Sequence, residues 1–266
     1  MNSALYVLPV VIVALLALER RFPLRQPKAP LGRRLAVNLG LGSLAMVTAI
    51  VVVRPSAIAA ADVAALHPFG LSTMVPMPFA LQGVLTFLLL DLTFYYWHRA
   101  NHTIPFLWRL HVVHHVDPDL DVTTAYRFHF LEIALSAGFR GLQLLLIGGP
   151  ASAAIAYEVA FQLNTAFQHS NVRLPMRAER WLHMVIVTPR MHGIHHSRLE
   201  HETNSNWSSV FSFWDRLHGT LQPIVTHADA NIGISGYSRP EDNRFWRALA
   251  MPFRRQRDYW REKQEA

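Results

Sequence analysis

The chain has 266 residues, no cysteine, 51% hydrophobic residues and a formal charge of +7. A chain without cysteine has no disulfides, iron–sulfur clusters or thiolate-ligated haem. The chain also lacks the G-x-G-x-x-G and P-loop motifs that would indicate a nicotinamide, flavin or nucleotide site. The basic residues are concentrated in residues 20–34 and 244–263, beside apolar sequence. This arrangement favours anionic lipid headgroups over nucleic acid, for which no binding motif is present.

Five apolar stretches predict membrane helices. In chain order they are Ala4–Leu18, Leu35–Val53, Pro78–Trp97, Leu131–Ile147 and Ala151–Phe167. A span needs about 20 apolar residues, with about 17 as the lower limit, so the second and third stretches qualify comfortably. The last two are separated only by Gly148-Gly149-Pro150 and predict a hairpin, which need not cross the membrane completely. We therefore predict an all-α, integral-membrane bundle of about four to five helices with a histidine-rich helical cap.

Charge indicates the orientation of these helices. No Lys or Arg precedes the first stretch, whereas four basic residues follow it. This order of charges is the reverse of that in a signal peptide. The four residues are Arg20, Arg21, Arg25 and Lys28. We expect an uncleaved anchor with an outside N-terminus, followed by a cytoplasmic basic loop. Residues 54–77, which contain three prolines, are expected to form an outward-facing loop. Counting crossings then places residue 98 and both ends of the hairpin at the cytoplasmic surface of a multi-pass protein, in a bacterial inner membrane.

Three histidine clusters lie at or near that surface. They are His98-x3-His102, His111-x2-His114-His115 and His192-x2-His195-His196. Residues at i, i+3 and i+4 share one helix face, so each cluster can direct its rings at a common point. Imidazole is the commonest metal ligand near neutral pH. The pattern predicts a membrane-embedded di-metal oxygenase, whose electrons must come from a separate protein.

The hairpin adds two histidines and an ion pair to this prediction. His129 and His169 each lie 20 residues from Gly149, so helical arms would place both rings at the depth of the clusters. Arg140 and Glu158 each lie nine residues from Gly149, which is roughly 13 Å from the turn at about 1.5 Å per residue. A buried ion pair is the least costly arrangement for both, and we expect them to meet. The alternative is that Arg140 reaches the membrane surface while Glu158 faces a cavity.

Polar residues near the clusters are candidates to support the ligands. Asp91 shares one helix face with Tyr95, His98 and His102, and could accept a hydrogen bond from a ligand histidine. It could equally pair with a neighbouring helix for structural reasons. Glu132 and Asp215 are likewise supporting or structural candidates.

These motifs together resemble the fatty acid hydroxylase / sterol desaturase superfamily of integral-membrane, non-haem di-iron enzymes. The resemblance runs from Asp91 to Thr220, with Phe130 in place of a common Pro and His218 in place of a usual Phe. The residues that carry it are His98-Arg99-x2-His102, His111-x2-His114-His115, Arg127-x-His129-x2-Glu132, His169-x-Asn171, Pro189-Arg190-x-His192-x2-His195-His196, Asn206-Trp207 and Phe213 to Thr220.

The resemblance implies a set of site residues and cofactors. It implies two irons per chain, O2 as co-substrate and externally supplied electrons that oxidise a lipid. Asn171, together with Asp91, Glu132 and Asp215, is expected to support the ligands. The ten expected ligands are His98, His102, His111, His114, His115, His129, His169, His192, His195 and His196.

The expected reaction is hydroxylation or desaturation of a sterol, fatty acyl or related lipid. The expected donor is a cytochrome b5-like or ferredoxin/reductase-like protein.

The chain is expected to be one domain with anchor helices (1–77), a catalytic core (78–227) and a basic tail (228–266) that lies on the membrane or forms a solvated helix. The alternatives are a membrane metal-binding or transport protein, a zinc hydrolase, whose H-E-x-x-H motif is absent, and a catalytically inactive lipid-binding relative.

Overall fold

A computed structural model describes residues 2–67, 70–74, 76–222 and 231–261. Within these ranges the regular structure is helical, with β-structure limited to isolated bridges, so the prediction of an all-α fold is confirmed. The longer helices are α1 (Asn2–Arg21), α2 (Leu31–Thr48), α3 (Arg54–Leu66), α4 (Phe79–Thr103), α5 (Pro105–His115), α6 (Phe130–Ile147) and α7 (Ala151–His169). The shorter ones are α8 (Met176–Leu182), α9 (Pro189–His195), α10 (Glu200–Thr203), α11 (Phe213–Leu217) and α12 (Phe245–Ala250).

Three helical segments among the described residues are long and apolar enough to cross a membrane. They are Leu31–Ala64, Phe79–Thr103 and Phe130–Ile147, which contain three of the five predicted stretches in whole or in large part. The other two predicted stretches form α1 and α7, and their crossing of the membrane stays a prediction.

The first of these segments corrects the prediction of an outward-facing loop. Helix α2 continues through a π-helical turn, Ala49–Val53, directly into α3, so residues 54–66 are helical. Pro55 follows this turn inside the continuous helical segment, where its missing N–H removes a backbone hydrogen bond. The π turn before it shifts the hydrogen-bond pattern and lets one 34-residue helical segment pass the proline. Pro68 lies outside the described residues.

The hairpin of α6 and α7 turns at the end of the bundle opposite the histidines. Gly148 and Gly149 have φ of 66° and 95°, in the region that favours glycine. A Cβ at Gly149 would overlap the hydroxyl of Thr86, which explains the absence of a side chain there. The N–H groups of Leu71 and Ser72 donate to carbonyls of α6, both at 2.9 Å. The segment before α4 and the hairpin turn therefore lie together.

A buried charge network fastens the start of α2 to the segment that follows α5. Arg34 donates to both carboxylate oxygens of Asp117, at 2.8 and 2.9 Å, and to Asp121 at 2.5 Å. Arg127 donates to the carbonyl of Val113 and to the side chain of Asn38. These contacts hold α5, which carries the second histidine cluster, against α2 in the first candidate membrane span.

The described part of the predicted tail is folded into the protein. Residues 231–261 pack on α2 and α5 in a shared core formed by Val37, Leu41, Trp108, Val112, Val113, Val116, Ile234, Tyr237, Ala248 and Met251. One face of the tail is therefore part of the core, and the alternative of a solvated helix stays untested for its exposed face. Trp246 and Phe253 remain 75% and 67% exposed, and their contact with a membrane stays a prediction. The predicted boundary at residues 227 and 228 lies outside the described residues.

Candidate metal centre

Nine histidines converge in two groups at the end of the bundle opposite the hairpin turn. Within each group, one nitrogen of every ring lies within 4.8 Å of the others, and all nine side chains are buried. The first group is His98, His102, His111, His115 and His195, and the second is His114, His169, His192 and His196. The two groups adjoin, since the rings of His115 and His196 stack with centroids 4.3 Å apart.

Two proline-started helices bring the clusters together. Ile104, at the end of α4, is extended because the residue before a proline avoids helical angles. Pro105 then begins α5, which folds back so that His111 faces His98 and His102 at ring-centroid distances of 5.4 and 5.0 Å. Helix α9 likewise begins at Pro189, after the extended Thr188.

Hydrogen bonds fix the tautomer of four of these rings. A carbonyl oxygen only accepts, so the Nδ1 atom that meets one carries the proton and leaves Nε2 with a free lone pair. The contacts are His98 to the carbonyl of Trp207 (2.8 Å), His169 to Thr165 (2.7 Å) and His195 to Ser205 (2.8 Å), and Nδ1 of His111 meets the Glu132 carboxylate at 2.8 Å. This is the usual way in which proteins orient metal-binding imidazoles.

The remaining ring nitrogens fit a bound metal in each group. Buried polar atoms without a partner cost about 1–3 kcal/mol each. Nε2 atoms nevertheless face one another, with His169 to His192 at 2.9 Å and His169 to His114 at 3.1 Å. In the first group, both nitrogens of His102 and Nε2 of His195 have no partner among the described residues. A divalent cation at each group would satisfy nitrogens that face the centre, and an imidazole set suits zinc, copper, iron or nickel.

Burial keeps these rings neutral, as metal binding requires. Desolvation lowers the pKa of His195 to about 3, against an ordinary value of 6.5. Desolvation, followed by the neighbouring imidazoles, also holds the pKa values of His114, His115, His192 and His196 well below that value. At neutral pH these rings therefore present lone pairs rather than positive charges.

Comparison with known proteins places this arrangement in a family. The family model described as Fatty acid hydroxylase matches residues 83–220, about half of the chain, and that range contains all nine grouped histidines. The chain belongs to the fatty acid hydroxylase family. Membership confirms the resemblance to the fatty acid hydroxylase / sterol desaturase superfamily.

Curated relatives in the family act on different lipids by name. The ornithine lipid hydroxylase OlsE of Rhizobium tropici is 32% identical over 67% of this chain and 52% of its own length. The alkylglycerol monooxygenase of Xenopus tropicalis is 31% identical over 52% of this chain and 30% of its own length. Human cholesterol 25-hydroxylase is 26% identical over 51% of this chain and 49% of its own length. The chain thus matches about half or less of each relative, and no solved structure matches it.

The structure of this family member does not bring His129 to the two groups. Helix α6 begins at Phe130, and His129 is its extended N-cap residue, so the helix does not direct its ring at the groups. Nδ1 of His129 accepts from the N–H of Leu131 at 3.2 Å, and Nε2 donates to the carbonyl of Leu249 at 3.1 Å. Both ring nitrogens are used, and His129 ties α6 to the tail. His169, which is helical, lies where expected.

Two of the four predicted supporting residues lie close to the candidate ligands. Glu132 contacts His111 directly. Asp215 accepts from the backbone N–H groups of Trp207 and Ser208, at 2.9 and 3.0 Å. It therefore holds the loop whose Trp207 carbonyl orients His98.

The other two supporting residues have structural contacts. Asp91 accepts hydrogen bonds from the N–H groups of Val210 and Phe211 and from the indole of Trp214. It therefore pairs with a neighbouring segment for structural reasons, and these contacts do not include a ligand histidine. Asn171 exchanges hydrogen bonds with the backbone of Arg25, at 2.9 and 2.8 Å, and so joins the basic loop to the end of α7.

The contact between Arg25 and Gly193 was not predicted from the sequence. The Arg25 guanidinium lies so close to Gly193 that a Cβ there would overlap it, and it donates to the Pro189 carbonyl at 3.3 Å. Gly193 separates His192 from His195 in α9. A glycine inside a histidine cluster was visible in the sequence, but the distant arginine whose side chain lies against it was not.

Proposed function

We propose that the chain is a membrane-bound, O2-dependent iron enzyme that hydroxylates or desaturates a lipid. The observation that carries the proposal is the pair of adjoining, buried imidazole groups, whose oriented rings present Nε2 lone pairs to a common centre. Family membership and the hydroxylase and monooxygenase names of its relatives support the same reaction class.

We propose one iron in each group. Bound there, iron would supply the activation of O2 that oxidation of an unactivated C–H bond needs, which redox-inactive zinc cannot supply. The chain contributes neutral ligands and a dry surrounding. Glu132 holds the Nδ1 proton of His111, while the carbonyls of Trp207, Thr165 and Ser205 hold those of three other rings.

The substrate we propose is a lipid with a long apolar body, since that feature is common to ornithine lipids, alkylglycerols and cholesterol. An apolar groove of about 490 Å³ between α4 and α7 fits the distal part of such a molecule, and its lining includes Phe79, Gly83, Phe87, Ala153 and Phe211. Phe87 precedes His98 by eleven residues on α4, or about 16 Å along the helix. An extended acyl chain is long enough to reach from the groove to the histidines.

The orientation and the electron source complete the proposal. The positive-inside rule puts the basic loop before α2, and with it the histidine groups, on the cytoplasmic side. Electrons would come from a separate soluble donor on that side. The catalytic core would be residues 78–227, preceded by the anchor helices.

The test is purification of the full chain in lipid nanodiscs, metal analysis, and O2 uptake with a lipid panel under a ferredoxin/reductase system. The proposal expects two irons per chain and a product that gains one oxygen atom or loses two hydrogens. The double variant His114→Ala/His195→Ala, with one ligand removed from each group, should lose iron and activity together. Activity that persists in this variant without iron would contradict the proposal, and iron binding without any product would favour an inactive relative.

A further inference from the structure

The buried indole of Trp108 lies beside the first histidine group. Trp108, on α5, is 7% exposed. Its ring centroid lies 4.9 Å from that of His102, 5.4 Å from His115 and 6.3 Å from His111. All three belong to the first group.

On its other side, Trp108 meets two aromatic residues of the tail. Trp260 stacks on it at an interplanar angle of 22° and a centroid distance of 6.1 Å, and Tyr259 packs edge-on at 5.7 Å. Both tail residues are partly exposed. The rings of His115, Trp108 and Trp260 thus form a continuous series from a candidate metal ligand to the outside.

The surface at the end of this series is basic. Segment 254–261 carries Arg254, Arg255, Arg257 and Arg261 against one carboxylate, Asp258. Arg257 is paired with Asp242 and lies over the ring of Tyr237, whereas Arg254, Arg255 and Arg261 are exposed. Arg109, which follows Trp108 in α5, is exposed as well.

We propose that an acidic one-electron donor protein docks at this basic surface and that its electrons reach the metal centre through Trp260 and Trp108. The inference rests on the proposed function. In each transfer the donor is oxidised by one electron and the metal centre is reduced by one, and no bond forms or breaks. Two transfers, two protons and one O2 balance the insertion of one oxygen atom into the lipid and the release of one water.

The aromatic series argues for a redox partner rather than a lipid. A basic surface attracts anionic headgroups and acidic proteins equally well. Electron transfer slows steeply with distance, and contacting rings keep each gap close to van der Waals separation. Lipid binding needs no such connection to the ligands. A second aromatic route, through Trp207, runs instead to Tyr95 and His218 along α4.

The first experiment interrupts the series. Full-length protein, loaded with iron and oxidised to the ferric state in neutral phosphatidylcholine nanodiscs, is mixed anaerobically with a pre-reduced acidic [2Fe–2S] ferredoxin. Each electron then reduces one ferric ion to ferrous, and ferredoxin oxidation is followed by stopped-flow absorbance. Trp260→Leu should lose most of the ferredoxin-driven rate yet keep the wild-type rate with dithionite and methyl viologen. Trp260→Phe, which keeps a ring, should retain most of that rate. Trp246→Leu, at an exposed tail tryptophan away from the series, should behave as wild type.

The second experiment removes the charge. Arg109→Gln/Arg255→Gln/Arg261→Gln should slow ferredoxin association by about tenfold or more at low salt, and added salt should reduce the difference. The matched control removes three exposed arginines near α8, as Arg173→Gln/Arg177→Gln/Arg180→Gln, and should have little effect.

Several outcomes would overturn the proposal. A wild-type rate in Trp260→Leu excludes this route, and turnover with dithionite would then leave the proposed function intact. If the Arg109 triple variant loses binding to anionic vesicles but not to ferredoxin, the surface is a lipid contact. A chain that binds no iron at all overturns both the proposed function and the route.

Discussion

The guanidinium of Arg140 meets the carboxylate of Glu158 across the two arms of the hairpin, with Nη1 2.6 Å from Oε2. Arg140 also lies over the rings of Phe94 and Phe161, at 5.6 and 5.5 Å, and Gln162 donates to the second oxygen of Glu158. The prediction that the two charges meet is confirmed. Counting from Gly149 succeeded because both arms are helical from the turn onward and rise equally per residue.

Breaking this pair should destabilise the bundle. The Glu158 side chain is 43% exposed on a hairpin that we propose lies in the membrane, where lipid rather than water would surround it. Arg140→Leu would leave this carboxylate without a cation, and in lipid we expect a loss of about 3 kcal/mol in unfolding free energy. Arg140→Leu/Glu158→Leu should recover most of that loss, because no charge is then left alone. Unfolding in nanodiscs or mild detergent measures both. Arg244→Leu, which breaks the exposed contact with Glu241, is the control and should cost less than about 1 kcal/mol. A double variant as unstable as the single would contradict this account.

The contact of Glu132 with His111 should contribute to metal affinity. Glu132→Ala removes the acceptor that holds the Nδ1 proton, so the ring can rotate and lose its tautomer. We expect iron affinity to fall by about 10- to 100-fold, measured by competition with a chelator. Glu200→Ala, at an exposed position outside both groups, is the matched control. Equal affinities in the two variants would show that His111 is oriented by packing alone.

The sequence was sufficient to predict that the eight clustered histidines come together, because the spacing within each cluster is local, and the position of His169 followed from the helical arm α7. Their role as metal ligands stays a prediction. His98 and His102 lie one helical turn apart, and the same holds for the other clusters, so only helix formation was needed. His129 failed because its place depends on where α6 begins, and a shift of one residue turned it from a helical residue into a cap. Helix ends are the least predictable feature of a sequence.

Contacts between distant segments explain the other differences. Val37 and Leu41 lie in a predicted membrane span, and the tail covers them through Ala248 and Met251. The alternation of aromatic and basic residues in the tail fits a surface helix as well as it fits a segment packed against α2 and α5. No local pattern shows which apolar face of one element receives another.

The close contact of Arg25 with Gly193 predicts that Gly193→Ala is harmful, although helix propensity alone favours alanine. Alanine should stabilise an exposed helix position relative to glycine by about 1 kcal/mol. Here Gly193→Ala should instead push the Arg25 guanidinium away and distort α9 between His192 and His195. We expect a loss of bound iron, measured by metal analysis of the purified protein.

The double variant Arg25→Ala/Gly193→Ala is the control for that clash. Because the truncated arginine leaves room for the methyl group, the double variant should hold more iron than Gly193→Ala alone. If Gly193→Ala keeps full iron content, the guanidinium moves without cost and Gly193 has no role in shaping the cluster.

The buried histidines should make the metal-free protein sensitive to acid. The pKa of His195 is lowered by desolvation to about 3 in the folded state, against 6.5 for an ordinary histidine. Below about pH 6.5 the unfolded chain therefore binds protons that the folded chain does not, and stability falls as pH falls. His114, His115, His192 and His196 shift in the same direction, which should steepen the dependence.

Thermal unfolding with a chelator, from about pH 7.5 to about pH 5, measures this dependence. The melting temperature of the metal-free protein should fall across the range, and His195→Gln should lessen the slope because one such ring is gone. His67→Gln, at an exposed position, is the matched control. Iron should raise the melting temperature at neutral pH and lose that effect on acidification, since protons and metal compete for the same lone pairs. A metal-free protein whose melting temperature stays constant over this range would mean that water reaches the rings, and the dry histidine centre would be wrong.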